Sequence, residues 1–123
     1  MKKRLSTVLI VGLVLLFSLT ACGEVSSVSD MGNAFMSALN TGDNTTSYQM
    51  LHSDIQEEVG GEAGWAEWTS IRKFDEWKFN STSIENNTAT LEGTAVLDDV
   101  DYAIILLFDK INEEWKITGI SFE

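Results

Sequence analysis

At Asp75 the spacing of apolar residues changes from three and four to two, and this switch limits the possible folds more than any single motif does. Before it, Val28, Met31, Phe35, Ala38 and Leu39 recur as one face of an amphipathic helix. After it, Ala89, Leu91, Gly93, Ala95 and Leu97 alternate with Thr88, Thr90, Glu92 and Thr94, the pattern of a half-exposed strand. A chain with helices first and strands last separates them into two layers. The expected class is therefore α+β, with N-terminal helices packed on a curved four-stranded antiparallel sheet.

Turn chemistry places the boundaries. Ser27 or Ser29 can cap the first helix, Gly42 can close it in a left-handed conformation, and Asp43 can cap a second. That second helix carries Tyr48, Leu51 and Ile55 on one face and fades around Glu57 to Gly61. A third is expected from Glu62 to Phe74, with Trp65, Trp68 and Ile71 or Arg72 in register. In the sheet half, Trp77, Phe79, Ser81 and Ser83 are expected to face one way until a hairpin turn at Asn86-Asn87. Asp98-Asp99 makes the next turn, and Val100 to Phe108 reads as a central strand covered on both faces. Asn112-Glu113-Glu114 then leads into a last strand from Trp115 to Ile120.

The N-terminus has a different character. Lys2, Lys3 and Arg4 precede an apolar run from Leu5 to Leu19, which ends at Leu19-Thr20-Ala21-Cys22. Cys22 is the only cysteine in 123 residues. This stretch resembles the cleavage box of bacterial lipoprotein precursors. The resemblance implies a signal peptide over 1–21, cleavage between Ala21 and Cys22, and a diacylglyceryl group on Cys22. An uncleaved membrane anchor over Leu5 to Ala21 is the alternative, at the short end of what spans a bilayer. Gly23 to Ser27 reads as a short tether, so residues 22–27 join the lipid to a domain over 28–123. The protein is then expected on the extracytoplasmic face of a bacterial cell membrane.

A single cysteine permits no intramolecular disulfide, so the domain depends on buried apolar surface. All four tryptophans, Trp65, Trp68, Trp77 and Trp115, lie in the domain, and proline is absent from the chain. Three of the eight basic residues precede Cys22, which leaves five against nineteen acidic ones and a net charge of −14 after cleavage. A surface this acidic repels nucleic acid, and no basic stripe relieves it.

Helices followed by a meander also resemble the nuclear transport factor 2-like (cystatin-like) superfamily, in particular its small bacterial lipoproteins of unknown function. The segments that carry the resemblance are Phe35 to Asp43, Tyr48 and Leu51 after it, and Trp115-Lys116-Ile117 behind an acidic turn. They are architectural and say little about activity. The resemblance implies a cone-shaped fold with an apolar pocket lined by Phe35, Met36, Tyr48, Trp65, Trp68, Trp77, Phe79 and Tyr102, or else a small core that these side chains simply fill. It also implies a homodimer through the outer sheet face.

Few residues offer chemistry. His52 and Asp54 are the only histidine and carboxylate close in sequence, and a two-residue spacing on a helix points them apart. Gly60-Gly61-Glu62-Ala63-Gly64 lacks the lysine and hydroxyl of a phosphate loop. Asp98, Asp99 and Asp101 lack the spacing and glycine of a calcium loop, and one histidine cannot assemble a zinc site with a lipidated cysteine. No metal and no cofactor is expected. The leading expectation is a non-enzymatic module that binds a small apolar ligand or an envelope protein. The alternative is an isomerase or cyclase using His52 or Asp54 as a general acid or base.

Overall fold

The computed structural model describes residues 24–123. The expected signal segment over 1–21, the expected cleavage pair Ala21/Cys22 and the expected lipidation at Cys22 lie outside the described residues. Helix α1 covers residues 24–41. The segment 24–27, expected as part of a tether, is thus helical. Its first described residue is tied down: the Lys110 ammonium donates a hydrogen bond to the Glu24 carboxylate. Gly42, at φ +77°, ends the helix. Its N–H donates to Leu39 and that of Asp43 to Ala38, the paired bonds of a Schellman cap.

The expected second helix is two helices, α2 (Asn44–Gln49) and α3 (Ser53–Glu58). Between them the backbone turns aside to pair with a strand: Ile117 N–H donates to Met50 and His52 N–H donates to Ile117, forming a parallel bridge at Leu51. Helix α4 (Gly61–Thr69) stops five residues before Phe74. Its last turn gives up its carbonyls to side chains: Ser70 Oγ bonds the Glu67 carbonyl and Arg72 bonds that of Trp68. Ile71 is consequently 71% exposed.

Strands β1 (Glu76–Glu85), β2 (Thr88–Leu97), β3 (Val100–Ile111) and β4 (Glu114–Phe122) form one antiparallel sheet in sequence order. Their two-residue turns hold Asn86, Asp98, Asp99, Asn112 and Glu113 at positive φ. The register of β1 against β2 shifts between Phe79 and Ser81, a bulge at Asn80. That extra residue reverses the alternation. Thr82 and Ile84 are half-buried, and Ser81 and Ser83, expected beside Trp77 and Phe79, face solvent. Strand β3 also departs from expectation: Ile104, Leu106 and Phe108 are buried while Leu107 is 43% exposed, so only one face is covered.

The core lies between α1 and the concave face of the sheet. Phe35, Met36 and Leu39 meet Leu91, Ile104, Leu106, Phe108 and Ile117, all essentially without solvent exposure. No helix among the described residues is long and apolar enough to cross a membrane.

Candidate functional site: an aromatic cleft beside the last strand

Two tryptophans three residues apart on α4 share one helix face, and their rings stack with centroids 4.9 Å apart and an interplanar angle of 12°. Trp65 is fully buried, 6.0 Å from the Phe35 ring, and its indole N–H donates to Ser47 Oγ at 2.8 Å. Two further bonds join α2 to α4, Thr45 to Glu62 at 2.6 Å and Thr69 to Asn44 at 2.9 Å. Trp68 is half-buried, with the Arg72 guanidinium 3.8 Å from its ring centroid and Phe122 at 6.2 Å. Such a cation held over an indole orients the ring as well as stabilising it.

This stack forms one wall of an open-sided cleft of about 590 Å³. Ile55, Glu58 and Val59 from the α3 side form the second wall, and Thr118, Gly119 and Ile120 of β4 form the third. The volume falls in the range of small-molecule sites, roughly 300–1,000 Å³. Glu58, exposed at the rim, is its only titratable lining side chain.

Of the eight residues expected around a pocket, Trp65 and Trp68 line this cleft, and the other six are distributed elsewhere. Phe35 and Met36 are sealed in the core. Tyr48 borders a separate depression with Ser53 and Gln56. Trp77 lies against α1, where its N–H donates to Asn33 Oδ1 at 3.1 Å. Phe79 packs so close to Gly32 that a Cβ there would sit 3.1 Å from the ring. Tyr102 meets Phe74 edge-on with centroids 6.0 Å apart. The expectation of one eight-residue pocket is corrected: α1 fills the middle of the concave face, and the open space moves to the side where α3 and α4 flank β4. Ile55 and Val59, four residues apart, were an apolar pair that the sequence could have offered. Thr118 and Gly119 gave no such signal, because a register shift in β4 places them at the cleft.

His52 and Asp54 lie close together, contrary to the expected divergence, because His52 caps α3. Its Nδ1 accepts from Asp54 N–H at 3.1 Å and lies 3.6 Å from the Asp54 carboxylate, which is 88% exposed. Neither residue lines the cleft. Asp98 and Asp99 occupy the exposed turn between β2 and β3, where Asp98 N–H donates to Asp75. Among the described residues no three His, Cys, Asp or Glu side chains converge as a metal site.

No protein-family model matches the chain, and no curated protein matches it. Solved structures do. A protein named as a candidate NTF2-like transpeptidase from Campylobacter jejuni superposes with a TM-score of 0.57 at 10% identity, over 74% of this chain and 96% of that one. An NTF2-like protein of unknown function from Shewanella oneidensis MR-1 superposes with a TM-score of 0.58 at 19% identity, over 80% of this chain and 98% of that one. Helices packed on a four-stranded antiparallel sheet, together with these two superpositions, establish that the chain has the NTF2-like fold.

Proposed function

We propose that this protein is a lipid-anchored, extracytoplasmic binding module that captures its ligand in the cleft beside β4 without transforming it. The observation that carries the reading is the Trp65–Trp68 stack at an open cleft of about 590 Å³. Its rings are already held by Ser47 and Arg72, so a guest meets a prearranged apolar wall and loses little affinity to reorganisation. The reading without catalysis draws on the lining, where Glu58 is the only titratable side chain and is solvent-exposed. A general acid or base gains from a desolvated site with a partner, and His52 is committed to a helix cap outside the cleft.

The anchor rests on Leu19-Thr20-Ala21-Cys22. Two acyl chains on Cys22 hold a domain on a bilayer where one binds marginally. Two measurements test the proposal. Native mass spectrometry of protein extracted from membranes should show a retained molecule that Trp68→Ala loses, and equal retention by that variant rules out the cleft. Cys22→Ser should remain unprocessed and unlabelled by a radioactive fatty acid, and normal labelling removes the anchor.

A further inference from the structure

The outer edge of β4 is half covered. At Ile117 the chain itself occupies it, through Met50 and His52, and at His52 the backbone leaves the edge to begin α3. Beyond Ile117 the strand continues to Phe122, and its stretch from Thr118 to Ile120 forms a wall of the cleft. The direction of its main-chain groups follows from the ladder. Glu123 and Ala103 exchange both hydrogen bonds, so Ser121 and Gly119 also face β3, while Ile120 and Phe122 turn their N–H and C=O outward. No backbone group among the described residues takes the outward pair of Ile120. An unpaired edge of this kind is a template for another strand.

We propose that the ligand of the cleft is an extended peptide segment of another protein, which pairs with β4 at Ile120 and continues the line that residues 50–52 abandon. This inference rests on the binding-module reading and specifies its ligand. Five residues of edge, Thr118 to Phe122, span roughly 16 Å, enough for a short strand. Alternate side chains of the guest face the cleft, where Ile55, Val59 and Trp68 select apolar ones. Charge sets the rest: Glu58 is the only charged side chain in the lining, and the whole chain carries −11. A segment alternating apolar and basic residues is complementary to both.

Hydrogen exchange on the full chain purified in detergent tests the proposal. The probes are a pool of synthetic octapeptides alternating apolar and lysine residues, the same pool with every backbone amide N-methylated, and the neutral fluorophore N-phenyl-1-naphthylamine. The unmethylated pool should slow exchange at Ile120 and Phe122 about tenfold, and the methylated pool should leave both unchanged. Ile120→Pro removes an outward N–H together with a half-buried side chain, a backbone change that edge strands accept, and should abolish the protection at the other outward amide, that of Phe122. Should that variant not fold, Val59→Lys places a cation on the wall and should weaken the unmethylated pool about tenfold. Equal protection by both pools overturns strand pairing. So does binding of the fluorophore with no protection by either peptide pool, a result that leaves the cleft-binding reading in place. If neither peptide nor fluorophore binds, both readings fall.

Discussion

Trp65 Nε1 and Ser47 Oγ are joined by a 2.8 Å hydrogen bond with both residues sealed from solvent. It fixes the inner ring of the aromatic stack to α2, and through the stack it sets the orientation of the cleft wall. Ser47→Ala leaves the indole N–H buried and unpaired, which should cost about 1–3 kcal/mol. Urea denaturation followed by tryptophan emission measures it. A loss under about 0.5 kcal/mol, within the range of an ordinary surface change, would mean that the bond does not organise the wall.

Gly93 lies opposite the Asn80 bulge, where β1 crosses β2 closely. A Cβ on it would come 2.1 Å from the Lys78 carbonyl oxygen and 2.8 Å from the Phe79 Cα. Both atoms are main chain and cannot rotate away. Gly93→Ala should therefore destabilise the domain by about 1–3 kcal/mol, as overpacking does, and the loss should appear in thermal unfolding.

Glu113 has φ +70° in the two-residue turn between β3 and β4, behind Asn112 at +51°. A side chain in the left-handed region costs about 1–2 kcal/mol, and Asn-Gly is the preferred pair for such a turn. Glu113→Gly should raise stability by up to about 1 kcal/mol, read from the midpoint of urea unfolding. An unchanged or lower midpoint would show that Glu113 contributes something the turn geometry does not.

The ammonium of Lys110 has its pKa raised above the ordinary 10.5, first by the hydrogen bond to Glu24 and then by the nearby charges of Glu24 and Glu113, with partial desolvation acting the other way. A raised folded value means that the proton stabilises the fold. That contribution is complete below the unfolded pKa and disappears as pH rises through the folded one. Lys110→Met should thus be less stable than the parent from pH 7 to 9, with the gap closing above pH 10.5. A gap that persists at alkaline pH would assign the loss to packing of the lysine stem on Trp115, whose ring lies 5.6 Å from the ammonium.

The layer order and the sheet were legible because local rules agree there. Gly42, Asn86, Asp98 and Asn112 each adopt the left-handed backbone that their positions between periodic runs imply. The break at Met50 to His52 was not legible, since its cause is Ile117, far along the chain. The Asn80 bulge escaped for a related reason. Its sequence, Phe79-Asn80-Ser81, alternates without interruption, and only the close approach of Gly93 demands the extra residue. The cleft was the least legible part. Aromatic composition marks residues that bury well, but Phe35 is buried in the core beside Trp65 and Trp77 lies against α1, and the opening is left where a strand outruns its cover.

Strand order equals sequence order, so each hairpin of the sheet can close across a short loop at little entropic expense. The tie between the helical half and β4 is different, with Lys116 bonding the Gln49 carbonyl across 67 positions. Contacts of such separation are slow to find and are rewarded only after their loop has closed. The meander is expected to assemble first and the α2–α3 junction to dock last. By the same logic α2 to α4 can detach as one unit while the sheet persists. Native-state hydrogen exchange at low urea should show their amides opening together before those of β2 and β3, and a single uniform opening would mean that the two halves fold as one.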